Sequence, residues 1–326
     1  MAKLNMVKAL NRALLQEMER DEDIVIIGED VGVDGGVFRV TEDLHRKFGS
    51  KRVIDSPLAE AAIIGTSVGM ALYGLKPVCE IQFSGFAFQC FHQIENHAAR
   101  YRQRSQSQFH CQMVIRMPYG GGVRALEHHT ESEEQFYAQI PGLKMVIPSG
   151  PRNARGLLVS ALRDPDPVIF FEHKALYHAA REEVPDEIET FPLGRAQVVR
   201  EGPDLTLIAY GAMVRVATEA ADLLAREGGA ACEVIDLLTL SPLDRATLVA
   251  SVQKTGRAVI VHEAPRSFGP GAEIAASIME GAFLSLEAPI TRVAASDVAF
   301  VGFARERAHV PDVARVVVAC RETLAF

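Results

Sequence analysis

Short apolar strands alternate with helical segments in two separate series along this chain, and that rhythm leaves few folds open. In the first series, strands are expected at Ile24–Ile27, Val78–Phe83, Gln112–Met117, Met145–Ile147 and Val168–Phe171. Helices are expected at 3–20, 58–73, 86–103, 131–139 and 152–163. The opening helix sets Leu4, Val7, Leu10, Leu14 and Met18 on one face. The second series has strands at Leu205–Ala209, Cys232–Ile235, Ala258–His262 and Ile290–Val293, with helices at 213–226, 244–253, 271–284 and 311–323. Strands that are apolar throughout are covered on both faces, which is the signature of parallel sheet flanked by helices. Residues 173–203 break the rhythm; Arg181-Glu182-Glu183-Val184-Pro185-Asp186-Glu187 reads as part of a charged surface linker. The expected organisation is therefore two doubly wound α/β domains, 1–175 and 204–326, joined by a linker over 176–203.

Composition limits the function classes. A chain of 326 residues, 48% hydrophobic and 23% charged, supports two soluble cores. Its net charge of −8 argues against nonspecific nucleic-acid binding. No apolar run is long enough to span a membrane, and the segment Met1-Ala2-Lys3-Leu4-Asn5-Met6 has no signal-peptide core. Cys79, Cys90, Cys111, Cys232 and Cys320 are scattered, with no C-x-x-C, so buried free thiols in a reduced cytoplasmic protein are expected. No His or Cys cluster has zinc spacing, and the adjacent His128 and His129 are expected to diverge.

Four segments could carry chemistry. Glu60 stands in the otherwise apolar stretch Leu58-Ala59-Glu60-Ala61-Ala62-Ile63-Ile64, after a Ser56 cap and a Pro57 suited to a first helical turn. A capping-box carboxylate belongs at position 59, so Glu60 is one residue late for that job. No Lys or Arg follows Pro57 until Lys76, so no local cation neutralises it. Such a carboxylate can exchange a proton near neutrality; the alternative is an exposed acid favoured by the helix N-terminus. Gly28-Glu29-Asp30 follows the first strand, where open parallel sheets bind ligands, although acids in turns are ordinary. In Phe83-Ser84-Gly85-Phe86-Ala87-Phe88, Phe83 and Phe88 read as core, and Phe86 is either core or a stacking platform. Thr130 and Glu133 fit a capping box, which places His129 just before a helix, beyond the flexible Gly120-Gly121-Gly122. A helix N-terminus favours neutral imidazole, so His129 is either a proton shuttle or a surface histidine. No P-loop, G-x-S-x-G elbow or H-E-x-x-H is present.

Together the segments resemble the beta subunit of the thiamine diphosphate-dependent first component of 2-oxo acid dehydrogenase complexes, of pyruvate or branched-chain type. The likeness runs through Gly28-Glu29-Asp30-Val31, Gly35-Gly36-Val37-Phe38-Arg39, Asp55-Ser56-Pro57-Leu58-Ala59-Glu60 and Glu80-Ile81-Gln82-Phe83. It continues through Arg116-Met117-Pro118-Tyr119-Gly120-Gly121-Gly122, Pro141-Gly142-Leu143-Lys144, Glu233-Val234-Ile235-Asp236-Leu237 and Leu286-Glu287-Ala288-Pro289, covering essentially the whole chain.

The resemblance implies a pyrimidine-type thiamine diphosphate-binding domain followed by a transketolase C-terminal-like domain. It implies that Glu60 bonds the ring nitrogen of the cofactor aminopyrimidine and that Phe86 packs on that ring. It assigns His129 to acyl transfer onto lipoyl and, more distantly, Glu29 to an acidic tunnel between paired sites. A structural potassium ion would fall at Met113, Ala161, Leu162, Asp164 and Asp166. The expected partners are an alpha subunit, two of each chain, and a lipoyl acyltransferase core. The chain lacks the Gly-Asp-Gly that commonly holds magnesium and diphosphate, so the alpha subunit is expected to supply that half. An acetoin dehydrogenase beta subunit, another split transketolase-like enzyme and a noncatalytic scaffold are the alternatives. The chain departs from the family pattern at His92, where an acid is usual. It also departs at Asp297-Val298-Ala299-Phe300-Val301, where relatives often show an Asp-Thr-Pro-aromatic-Pro turn.

Overall fold

A computed structural model describes residues 1–326. Its first sheet has seven strands in the order Thr239–Ser241, Lys144–Val146, Val168–His173, Val114–Tyr119, Lys76–Glu80, Ile24–Gly28 and Val53–Asp55. Every neighbouring pair is parallel except the first. The antiparallel edge strand Thr239–Ser241 comes from the second half of the chain, an exchange that the alternation pattern does not reveal. The second sheet runs Thr291–Ala295, Ala258–Pro265, Leu205–Ala209, Cys232–Asp236 and Gln197–Arg200, the last antiparallel.

The first helix is Met6–Arg20, capped by Asn5, whose side chain accepts from the Lys8 amide at 3.0 Å. Val7, Leu10, Leu14 and Met18 are buried on its inner face, against the helix Pro151–Arg163. Leu4 lies outside the helix, in a short strand Ala2–Leu4 that pairs with Glu182–Val184. The charged segment after residue 175 is thus tied down twice, by that pairing and by Gln197–Arg200 in the second sheet. Backbone amides there found partners in distant strands, which charge and proline content do not encode. The expected helix at 86–103 is irregular, a 3-10 turn Ser84–Cys90 followed by a π-helical stretch Gln93–Ala98 and a short helix Tyr101–Arg104. All five cysteines are buried and free.

The two halves share their hydrophobic cores, since one cluster joins Leu10, Ile26 and Val168 to Leu207, Val234 and Val261. Polar contacts cross the same boundary. The Ile147 amide donates to the Leu238 carbonyl at 2.8 Å, and Ser149 bonds Asp236. Burial alone pushes the Asp236 carboxyl up to about 7, against the Ser149 bond that lowers it.

One buried charge cluster fixes the centre of the first sheet. Arg116 lies opposite Glu80 on the neighbouring strand and bonds it at 2.5 Å. It also grips Glu172 in a fork, at 2.6 and 2.8 Å, while the Tyr177 hydroxyl donates to Glu172 at 2.7 Å. All three charged side chains are almost wholly buried. One guanidinium therefore serves two carboxylates away from water. Removing it leaves two like charges facing each other in the interior. Arg116→Met is expected to lower stability by about 3–5 kcal/mol, read from the denaturant midpoint. A loss below about 1 kcal/mol would show that the carboxylates need no cation.

Candidate active site

Parallel strands all release their following loops at one edge, and ligands collect where the strand order reverses direction. Here the chain leaves Ile24–Gly28, adds Val53–Asp55 on one side and then returns to add Lys76–Glu80 on the other. The sheet edge at this reversal carries Glu29, which follows Ile24–Gly28, and the Phe83–Phe86 turn, which follows Lys76–Glu80. The loops after Val53–Asp55 and Val114–Tyr119 bring Glu60 and His129 to the same edge.

Glu60 is the first residue of the helix Glu60–Leu72, with Ala59 at the cap and no side-chain cap bond. The helix thus starts later than the Ser56 cap predicts; the Ser56 hydroxyl donates instead to the Pro57 carbonyl at 2.9 Å. Only one side is buried, through Ile63, Ile64, Ser67, Val68 and Ala71, while Ala62, Gly65 and Thr66 face outward. Glu60 itself is 5% exposed, and its Oε2 has no hydrogen-bond partner. A buried carboxylate oxygen left without a donor is costly, and an external donor could satisfy it; Glu133, Glu134 and Glu306 carry such oxygens too. Glu29 is its neighbour in charge. Burial, then Asp30, then Glu60 raise the Glu29 carboxyl above its ordinary value.

The helix packs against the 3-10 turn Ser84–Cys90, which in turn packs against a second 3-10 turn, Glu127–His129. The rings of Phe83 and Phe86 meet edge to face at 5.6 Å, and the His129 ring stands 4.2 Å from Phe83 and 5.4 Å from Phe86. Phe83 and Phe86 are partly buried at this edge, whereas Phe88 is 47% exposed and is not core. Gly85 makes the approach possible. A Cβ there would sit 2.3 Å from the His128 carbonyl oxygen. This requirement is invisible to a motif search, because it depends on a backbone more than forty residues away.

Two expectations for the histidines are corrected. The helix after them is Glu134–Ala138, and Thr130 does not cap it. The Thr130 hydroxyl turns back to the Leu126 and Glu127 carbonyls, at 2.9 and 3.0 Å, and closes the 3-10 turn. Burial, then His128, then Lys174 lower the His129 pKa, so the neutral ring is favoured without a helix dipole. Nor do His128 and His129 diverge. Their ring centroids are 4.3 Å apart, and His128 lies 5.8 Å from Phe86. The tight 3-10 turn does not impose the separation of a regular strand or helix. His129 Nδ1 is buried without a partner, and His128 faces Glu127 at 3.7 Å.

The potassium positions fall in a different corner. The Met113 carbonyl accepts from the Val168 amide at 3.0 Å, Ala161 from the Asp164 amide at 3.3 Å, and Leu162 from the Gln112 side chain at 2.8 Å. Asp164 is bonded to Lys144 and Asp166 to Arg102, each at 2.7 Å. Each position is already engaged, and the geometry gives no independent support for a cation there. No group of three or more His, Cys, Asp or Glu residues is gathered to hold a metal, and no helix is long and apolar enough to cross a membrane.

The transketolase pyrimidine-binding domain family matches residues 2–179, and the transketolase C-terminal domain family matches residues 194–316. The pyruvate dehydrogenase E1 component subunit beta of Staphylococcus epidermidis is 50% identical over 326 residues, all of both chains. The protein of the same name from Acholeplasma laidlawii is 47% identical over 322 residues, 99% of this chain and 98% of that one. Among solved structures, a split-gene transketolase described as an inactive beta4 tetramer superposes with a TM-score of 0.81 at 24% identity, over 99% of each chain. Transketolase from Leishmania mexicana gives a TM-score of 0.73 at 18% identity over all of this chain and 46% of that one. Built from these two domains and alike over its full length, the chain belongs to the beta subunits of the thiamine diphosphate-dependent first component of 2-oxo acid dehydrogenase complexes.

Proposed function

We propose that this chain supplies the pyrimidine half of an active site that oxidatively decarboxylates pyruvate and passes the acyl group to lipoyl. The observation that carries the reading is the buried, unpartnered Oε2 of Glu60 beside Glu29 at the sheet's reversal point. The relatives' name favours pyruvate over a branched-chain acid. When bound, thiamine diphosphate supplies the carbon nucleophile that attacks the keto carbon and takes up the electrons left as carbon dioxide departs. Glu60 would bond the pyrimidine nitrogen and hold a proton there. Phe86, set beside Phe83 and His129, offers a ring face against which the pyrimidine can pack. Glu29, its carboxyl raised by burial and by like charges, would be an acid of the tunnel that links paired active sites. His129 would give a proton to the sulfur released when the lipoyl disulfide opens. The donor is the imidazolium, which the lowered pKa makes the minor form and the stronger acid, and the ring is left neutral after the transfer.

The remaining parts of the proposal lie outside the chain. An alpha subunit would bring magnesium and the diphosphate contacts, in an assembly of two alpha and two beta chains, and the lipoyl group would arrive on an acyltransferase core.

The purified chain without an alpha partner is expected to turn over no 2-oxo acid, whereas the reconstituted pair acts best on pyruvate in a panel that includes branched-chain acids. Turnover by the rigorously purified single chain would overturn the division of labour, and a preference for branched acids would overturn the substrate assignment.

Glu60→Gln is close to isosteric, so the assembly should survive. It cannot share a proton as a carboxylic acid does, and activity is expected to fall by ~10²–10⁴-fold. Decarboxylation near the original rate at saturating cofactor would remove Glu60 from its role.

His129→Ala should keep much of the decarboxylation measured with an artificial electron acceptor and lose a clearly larger factor in acylation of a lipoyl domain. His128→Ala should do less to both half-reactions, since its ring is more exposed and leaves no buried nitrogen unpaired. Equal losses in both half-reactions for His129→Ala would move its role to decarboxylation, and a larger effect at His128 would exchange the two assignments.

A further inference from the structure

We propose that Glu263 and Glu306, both from the second half of the chain, are positioning residues that clamp the glycine loop leading to His129. This deepens the reading above and rests on the acyl-transfer role given there to His129. Glu263 Oε1 accepts from the Gly121 amide, and Glu306 Oε1 accepts from the Gly122 amide. Both carboxylates are buried. Successive amides of one loop are thus held by acids from two different elements, the strand Ala258–Pro265 and the short helix Glu306–His309.

The seat is narrow and suits glycine. A Cβ on Gly121 would lie 2.8 Å from the Phe300 ring and 3.2 Å from an oxygen of each carboxylate. Gly120 and Gly122 flank it with φ of +80° and +86°, conformations that other residues rarely adopt. Phe300 belongs to the segment where this chain departs from the family's proline turn; it braces Gly121 on one side and stacks edge-on against His309 at 4.9 Å.

The charges are arranged around the same loop. Glu263 Oε2 meets His173 Nε2 at 2.7 Å. The buried Lys174 ammonium makes no hydrogen bond, yet it feels both Glu263 and Glu306. It lies 5.8 Å over the Phe83 ring, which also meets His129 at 4.2 Å. The two carboxylates therefore reach His129 by two routes, along the backbone from Gly121 and Gly122 and through the Lys174–Phe83 stack. Fastening two halves together does not require buried acids, since apolar packing does so without desolvating charge. What buried acceptors add is a fixed position for a backbone that glycine would otherwise leave free.

The test compares Glu306→Ala with Glu306→Gln in the enzyme assembled with its alpha subunit. Alanine removes the acceptor for the Gly122 amide, whereas glutamine keeps one. Hydrogen exchange in a peptide spanning 119–129 should quicken about tenfold for the alanine variant and return to within about twofold for glutamine. Acylation of a free lipoyl domain should fall about tenfold for alanine, and decarboxylation with an artificial acceptor should stay within about threefold. Protection of the Val114–Tyr119 amides reports on the fold. Should Glu306→Ala fail to assemble, Phe300→Ala opens the seat without touching a charge and should move exchange and acylation in the same directions. Unchanged loop exchange, or equal effects of alanine and glutamine, would overturn the clamp. Faster exchange with undiminished acylation would overturn its function. His129→Ala run in parallel keeps the two readings apart: equal losses in its two half-reactions would sink the role of His129, while exchange in the Glu306 variants still decides the clamp.

Discussion

Six strands of the first sheet run parallel, and the chain reverses its direction of travel beside Ile24–Gly28. Nearly everything functional in the molecule depends on that arrangement. Parallel strands deliver their outgoing loops to a single edge, so residues separated by a hundred positions arrive together without any loop being long. Glu29, Glu60, Phe86 and His129 come from four successive connections, within ten residues of a strand end. The chemistry assigned to them needs no special backbone at most positions; it needs the strands to keep their register.

Register at the centre is held by charge as well as by packing. Arg116 bonds Glu80 on one neighbouring strand and Glu172 on the other, so a slip on either side would strand a charge in the interior. Glu60 shows the opposite treatment. It is buried to the same degree, yet no cation answers it and one oxygen lacks any donor. The structure satisfies Glu80 and Glu172 where they hold the sheet together and leaves an oxygen of Glu60 without a donor at the edge, as it does for Glu133, Glu134 and Glu306.

The second half of the chain is more than a neighbour. It donates the strand Thr239–Ser241 to the first sheet, shares its core, and places Glu263 and Glu306 on the loop that leads to His129. The likeness to a split-gene transketolase over the whole chain shows the same two-domain fold. The halves are thus joined through polar contacts at Gly121 and Gly122 as well as at Ile147 and Ser149.

Much of this was legible in the residues alone. The 3.6-residue spacing of Val7, Leu10, Leu14 and Met18 marks the first helix, and unbroken apolar runs mark buried parallel strands, because both patterns follow from which faces must avoid water. Glu60 could be singled out because a carboxylate in an apolar run without a nearby cation is conspicuous. Family motifs supplied Phe86 and His129 with roles that local patterning left open. Other features had no local signature. The start of the helix at Glu60, the turn of Thr130 back onto Leu126 and Glu127, and the approach of the His128 and His129 rings went against plausible capping and spacing rules, the last two within the local 3-10 turn Glu127–His129 that packs on Ser84–Cys90. The strands inside the charged segment after residue 175, the need for glycine at position 85, and the two acids on Gly121 and Gly122 all depend on partners distant in sequence. Periodicity is a local property and determined the elements; which buried group finds a partner is a property of the folded whole, and only the tertiary structure decided it.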